Sequence, residues 1–271
     1  MKKIINEDVR FAFGRNWSAY LKNNLISEAI EISKGGLEEF LGKNPLQNKT
    51  FLDFGCGSGI HSLAALQLGA KKVVSIDFDG DSVKCCKKIK EERGDGYDWD
   101  ILQGSLIDDN FVKSLGHFDV VYCWGVAHHT GDMNKALYNL KELTSENGEL
   151  FVAIYNKVEG MRGSKYWWNI KRFYNKSSFF IKKIMELFYI FINFLKLVLR
   201  FKNPFRVMNE YKKKRGMNWR TDLIDWLGGF PYEYASPQEI FKIYHDKYGM
   251  ELKNIKTTNY IGCNQFLFVK K

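Results

Sequence analysis

Five short apolar runs at residues 50–54, 72–77, 98–103, 118–123 and 149–155 alternate with stretches of helical period at 59–68, 80–92, 109–115 and 132–143. Strand and helix patterns in strict alternation predict a parallel, doubly wound α/β sheet, with Asp132 as the cap of the last of these helices. Upstream, residues 16–41 have the amphipathic period of one or two helices, with a break expected at Gly35-Gly36. After Tyr155 the alternation stops for about 80 residues and resumes at Ser236-Pro237-Gln238-Glu239, a helix start with proline in its first turn. That helix is expected to end near Tyr248, and two strands follow at 250–257 and 265–270. Strands that close on each other form a hairpin, so the last must run antiparallel. The expectation is one core, residues 1–155 and 236–271, carrying a helical cap insertion at 156–235.

Composition changes this picture in one place. The chain of 271 residues carries a formal charge of +10, but residues 157–220 hold 17 basic and 3 acidic side chains, so the rest is mildly acidic. Charge of this sign ordinarily suggests nucleic acid or an anionic membrane, and here it belongs to the insertion. The five cysteines have no CxxC spacing, so neither a zinc site nor a disulfide framework is expected, and no metal. The first ten residues mix Lys2, Lys3, Glu7, Asp8 and Arg10 without an apolar run, which points to the cytoplasm.

The chemistry starts at Asp53-Phe54-Gly55-Cys56-Gly57-Ser58-Gly59, between the first strand and its helix. Glycines at 55, 57 and 59 let backbone approach a ligand without Cβ atoms in the way. A dinucleotide fingerprint needs a third glycine where this chain has Ile60, so the spacing disfavours NAD. Asp77 ends the second strand, where a carboxylate can accept both hydroxyls of a ribose, and Phe78 offers a flat apolar wall. Together they suit an adenosyl group. At the third strand's end stand Ser105 and Leu106.

The set from Asp53 to Tyr155 resembles class I methyltransferases. The resemblance implies a Rossmann-like seven-stranded sheet, mostly parallel with an antiparallel last strand, and S-adenosylmethionine as methyl donor. The Ser105 hydroxyl and neighbouring backbone would then stand where many such enzymes hold the adenine amine with an acid. The block Cys123-Trp124-Gly125-Val126-Ala127-His128-His129-Thr130-Gly131-Asp132 is similar to the histidine pair of quinone-methylase-type enzymes, with Cys123 and Trp124 beside the methionine half of the cofactor. No Asp/Asn-Pro-Pro-Tyr/Phe tetrapeptide is present, which disfavours amino methylation of bases or glutamine. Methyl transfer is an in-line displacement, and a base is needed only where the acceptor loses a proton. His129 or His128 can serve as that base, or either can pack beneath the loop.

The FGxNW arm of residues 13–17, with Arg15 and Trp17, resembles segments that fold over the cofactor, and an aromatic cluster packing the first helix is the alternative. Together with the HHTGD loop, residues 215–217 (RGM), the 225–231 segment (DWLGGFP) and Gly262-Cys263-Asn264, it matches a bacterial methyltransferase group of the type 11 kind over nearly the full length. The insertion leaves the carboxyl end of the fifth strand and so can roof an acceptor pocket. Tyr155, Asn156, Arg162, Tyr166, Trp167, Tyr232 and Asn264 are its candidate acceptor contacts. Cations mixed with hydrogen-bonding aromatics favour a small anionic acceptor, such as a sugar, nucleotide-linked or phosphorylated intermediate of cell-surface polymer synthesis, methylated on oxygen. Residues 179–201 are apolar but broken by lysines, too short of uncharged length to span a bilayer. They fit a buried cap, a homodimer contact, or a helix lying on a membrane whose acceptor is a lipid or quinone precursor. A third reading takes the basic insertion as the footprint of an RNA methyltransferase, but no RNA-binding module accompanies it, so nucleic acid is not the expected partner.

Overall fold

A computed structural model of the chain describes residues 11, 26–215 and 219–271. The arm of residues 13–17, with Arg15 and Trp17, lies outside the described residues, as do Gly216 and Met217. The elements in chain order are α1 (Ile26–Leu41), β1 (Thr50–Phe54), α2 (Ile60–Gln67), β2 (Lys72–Asp77), α3 (Gly80–Arg93), β3 (Trp99–Gln103), α4 (Asp109–Ser114), β4 (Phe118–Trp124), α5 (Met133–Leu143) and β5 (Thr144–Tyr155). The insertion forms α6 (Ser164–Lys176), α7 (Phe179–Leu199), α8 (Pro204–Arg215) and α9 (Trp219–Gly228). It is followed by α10 (Pro237–Phe241), β6 (Glu251–Lys256) and β7 (Cys263–Val269).

The seven strands form one sheet in the order β3-β2-β1-β4-β5-β7-β6. β1 to β5 pair in parallel, and β7 runs antiparallel to both β5 and β6. This is the doubly wound sheet expected from the alternation, in the seven-stranded Rossmann-like form that the resemblance implies. Period-two side chains divide it into two cores. Leu52, Val121, Val152 and Phe266 pack beneath α5 on one face, while Phe51, Val120, Phe151 and Leu267 meet α1 and α2 on the other. The order reverses between β1 and β4, which opens a crevice at the carboxyl ends of these strands.

Two helices depart from expectation. α1 runs without a break through Gly35-Gly36, because Ile30, Ser33, Leu37, Phe40 and Leu41 keep one buried stripe across the glycines. Packing of that stripe outweighs the glycine penalty of about 1 kcal/mol per residue. The helix after Ser236 has the expected capping box with Glu239 but widens into π geometry over Lys242–Lys247.

The insertion leaves and re-enters the sheet at one point. Asn156 bridges Ala235, Ala235 N–H donates to the Tyr155 carbonyl at 3.0 Å, and Lys157 N–H to the Ala235 carbonyl at 3.1 Å. Two buried carboxamides fix that junction to the β6–β7 turn. Asn264 Nδ2 donates to Asn156 Oδ1 at 3.0 Å, Asn264 Oδ1 accepts from Thr258 N–H at 2.9 Å, and Asn156 Nδ2 donates to the Thr258 carbonyl at 2.8 Å. Replacing Asn264 by Ala strands these partners in a dry site and is expected to lower unfolding free energy by about 1–3 kcal/mol in urea titrations. A loss below about 0.5 kcal/mol, the level of an ordinary surface change, would contradict this role.

Candidate active site

A cavity of about 1490 Å³ follows the crevice from Asp77 and Phe78, past Gly55, to the mouth of the insertion. Its size exceeds the roughly 300–1,000 Å³ of common small-molecule pockets, leaving room for two ligands end to end.

The glycine turn is shaped by close packing. Gly55 has φ +86°, and a Cβ there would come within 2.1 Å of Val126 in the loop after β4. Gly59 has φ +81°, and a Cβ would meet the Cys86 sulfur at 2.6 Å. Only glycine lets the turn sit against both neighbours. Beneath it Asp53 is buried and anchors a chain of hydrogen bonds that crosses to β3. Ser62 Oγ donates to Asp53 Oδ2 at 2.6 Å, Ser75 Oγ to Ser62 Oγ at 2.6 Å, and Trp99 Nε1 to Ser75 Oγ at 2.7 Å. Burial pushes the Asp53 carboxyl up to about 7.

Asp77 accepts the Gly57 N–H at 3.0 Å and the Asp79 N–H at 2.9 Å, and burial raises it to about 6 despite these bonds. The Phe78 amide adds a third bond, and because a carboxylate has about four acceptor positions it can still accept from a ligand hydroxyl. Phe78 is 53% exposed beside it, and Ser105 and the buried Leu106 form the adjoining wall. Asp53, Gly55, Cys56, Asp77, Phe78, Ser105, Leu106 and Trp124 all line the cavity, while Gly57, Gly59 and Cys123 are not part of its lining. The buried carboxyl, the flat apolar walls and the open glycine backbone fit an adenosyl ligand.

The two histidines separate. His128 is fully buried, takes the Tyr155 N–H on Nδ1 at 3.3 Å, and lies with its ring centre 4.0 Å from that of Tyr155. Its Nε2 has no hydrogen-bond partner among the described residues. Burial, with His129 and Lys171 nearby, drives its pKa well below the usual range, so it stays neutral inside the wall. His129 lines the cavity instead. Its Nδ1 is 2.5 Å from the Pro231 carbonyl, an acceptor, so Nδ1 carries the proton and the lone pair lies on Nε2.

The segment returning from the insertion holds this loop. Glu233 N–H donates to the His128 carbonyl at 2.9 Å, and Glu233 Oε2 accepts the Met133 N–H at 3.0 Å at the start of α5. Gly229 is close enough that a Cβ would meet His129 Cε1 at 3.0 Å.

Of the expected acceptor contacts, Tyr155, Arg162 and Trp167 line the cavity and Asn156, Tyr166, Tyr232 and Asn264 do not. The two asparagines belong to the junction described above, Tyr166 points half into solvent, and Tyr232 packs in the interior against Tyr155. The cap contributes Tyr189, Asn193, Trp219 and Trp226 together with Asp222 and Asp225, so its wall is aromatic and partly acidic. The cations that suggested an anionic pocket mostly face outward, because long charged side chains keep their heads in water unless paired.

Lys171 is the exception and was not among the expected contacts. Fully buried, it donates to the Trp226 carbonyl and sits 4.1 Å from the Trp226 ring centre, 5.0 Å from Tyr232 and 5.8 Å from Tyr155. Burial lowers its pKa to about 7, against the opposing charge of Asp225. A second missed residue is His61, which lines the cavity stacked on Tyr122 and is held near 4 by burial. Both stand on helices whose sequence period gave no sign of where they point. Among the described residues no cluster of three metal-ligating side chains occurs.

Residues 52–150 match the family model of a methyltransferase domain. Over 113 residues the chain is 48% identical to ribosomal protein L11 methyltransferase of Pasteurella multocida (strain Pm70), covering 41% of this chain and 36% of that protein. Over 107 residues it is 34% identical to tRNA U34 carboxymethyltransferase of Shewanella sp. (strain ANA-3), covering 40% of this chain and 32% of that protein. The chain thus spans about a third of the length of these two relatives. Among solved structures, magnesium protoporphyrin IX methyltransferase of Synechocystis PCC 6803 with bound SAM covers 100% of both chains at 13% identity and a TM-score of 0.54. An O-methyltransferase family protein of Burkholderia thailandensis has a TM-score of 0.53 at 11% identity, covering 89% of this chain and 55% of that one. These two likenesses carry the fold.

Lys171 makes a prediction that needs no substrate. In the folded protein it releases its proton near pH 7, while in the unfolded chain it holds it to about 10.5. Between these values the unfolded state binds more protons, so stability rises with pH, by at most about 1.4 kcal/mol per unit. Lys171→Met lacks this slope and is expected to exceed the parent in stability most below pH 7, with the gap closing toward pH 10. Parallel stability curves for the two proteins over that range would show that the lysine is not buried as a shifted cation.

Proposed function

We propose that this chain, which carries an S-adenosylmethionine-dependent methyltransferase domain, transfers a methyl group to an oxygen of a small acceptor seated between the histidine loop and the insertion. The observation that carries the reading is the continuity of one cavity from Asp77 to His129. S-adenosylmethionine supplies an electrophilic methyl group on a sulfonium. Asp77 takes the ribose hydroxyls, Phe78 and Leu106 enclose the adenine, and the Gly55 turn and Trp124 adjoin the methionine end. His129 accepts the acceptor's hydroxyl proton on Nε2 as the displacement proceeds, with Pro231 fixing the tautomer. The aromatic cap wall holds the body of the acceptor, and Arg162 meets an anionic substituent such as a carboxylate or phosphate. A sugar, nucleotide-linked or phosphorylated intermediate has both features.

A second reading, a lipid or quinone precursor as acceptor, is favoured by α7. It lines the cavity with Tyr189 and Asn193 while turning phenylalanines outward.

Calorimetry with S-adenosylhomocysteine separates the two halves of the site. Asp77→Asn is expected to weaken binding at least tenfold, and His129→Ala to bind as the parent does. Incubating the enzyme with methyl-tritiated S-adenosylmethionine and a fractionated bacterial extract then reports the acceptor. Label is expected in the small-molecule or lipid fraction and lost in His129→Ala. Label confined to RNA or protein would overturn the acceptor class, and undiminished transfer by His129→Ala would remove that residue from the mechanism.

A further inference from the structure

Helix α7 has its faces reversed relative to an ordinary surface helix. Met185, Tyr189 and Ile190 pack inward near Tyr174, Leu223 and Leu227, and Glu186 is buried against the Tyr174 hydroxyl and Lys183. Facing solvent at spacings of three and four are Phe180, Ile184, Leu187, Phe188, Phe191, Leu195 and Val198, with Leu199 beside them. Phe180 is 78% exposed, Phe188 63% and Phe191 61%, and beyond the helix Phe201 is 100% and Phe205 68% exposed. A phenylalanine presents roughly 150–250 Å². Those five rings alone therefore approach or exceed the roughly 300–600 Å² of the largest apolar patch on a typical monomer. At 1.5 Å per residue the 21-residue helix is about 31 Å long. No described helix is long and apolar enough to cross a membrane.

The charges around the stripe choose its partner. Residues 172–206 contain eight lysines and arginines and one acid, Glu186, which is already buried and paired. At about 100° per residue, Lys196 flanks the stripe on one side, roughly 120° from its centre, while Lys183 on the other side is paired with Glu186. Arg200 and Lys202 stand exposed at its carboxyl end. A second copy of the same face would bring like charges together, whereas anionic lipid headgroups would neutralise them while the acyl region takes the rings.

We propose that α7 is an interfacial helix that docks the protein on anionic membrane surfaces, with the stripe from Phe180 to Leu199 in the headgroup–acyl boundary and the flanking cations on lipid phosphates. Docking in this pose turns the outer face of a cavity-lining helix toward the bilayer. The inference stands on the face of α7 alone and is independent of which acceptor is methylated.

The test is co-sedimentation with vesicles of neutral phosphatidylcholine, and with vesicles containing 30% phosphatidylglycerol. The parent is expected to pellet with the anionic vesicles, to bind the neutral ones at least tenfold more weakly, and to lose most binding in 0.5 M salt. The double variant Phe188→Asp, Phe191→Asp changes two exposed rings that are not part of the cavity lining. It is expected to remain in the supernatant while binding S-adenosylhomocysteine as the parent does, which shows that it is folded. A parent that stays in the supernatant with anionic vesicles would overturn the proposal, as would equal pelleting by the variant. So would a stable parent dimer in light scattering that the same two substitutions dissolve, since the face would then belong to a second copy.

Discussion

The bond between His129 Nδ1 and the Pro231 carbonyl ties together two parts of the chain that the sheet alone would leave apart. His129 belongs to the loop after β4, whose position follows from strand pairing and from Val126 packed on Gly55. Pro231 belongs to the segment by which 80 or so inserted residues return to the core. The neighbouring contacts of Glu233, to the His128 carbonyl and to the first amide of α5, make the attachment three-pointed. The insertion therefore does more than cover a pocket. It sets the tautomer of a histidine that lines the cavity and contributes the aromatic part of the same lining, so this end of the cavity is assembled only when the insertion is folded back on the sheet.

The same region concentrates buried charge. Asp53 and Asp77 are held high by burial at the glycine turn, and Lys171 is held low by burial beneath the insertion, with the charge of Asp225 offsetting only part of the cost. Perturbed groups of this kind gather where ligands bring the compensating charge or dipole. Asp77 is open to the cavity, so ligand hydroxyls that donate to it would offset part of its burial cost, whereas Lys171 lies behind the lining and is balanced by the protein alone. Lys171 also shows why burial of a cation is tolerated at all. Three aromatic faces and one carbonyl replace part of the water it gave up.

What could be read from the sequence follows from what is local. Strand runs, the glycine turn, Asp77 and the Ser236 capping box depend on neighbours within a few residues, and each appears where the pattern put it. The parallel doubly wound sheet and the antiparallel β7 followed from the alternation and the closing hairpin. Gly35-Gly36 misled because a buried stripe on either side of the pair kept the helix continuous. Asn156 and Asn264 were expected as acceptor contacts, yet they satisfy each other and the β6–β7 turn, a pairing across more than 100 positions that no local pattern reveals. The insertion's charge was visible in sum, but not its direction. Lys171, Lys196 and Arg200 look alike in sequence, and only packing shows that the first is inside and the others face water.

The most direct measurement is a crystal structure of the protein with S-adenosylhomocysteine. The account predicts the ribose hydroxyls on the Asp77 carboxylate, the adenine between Phe78 and Leu106, and the sulfur turned toward the part of the cavity that holds His129 and Tyr155. A ligand seated elsewhere, or a sulfur facing away from His129 with Trp226 and Tyr189 outside the remaining space, would contradict the assignment of that chamber to the methyl acceptor.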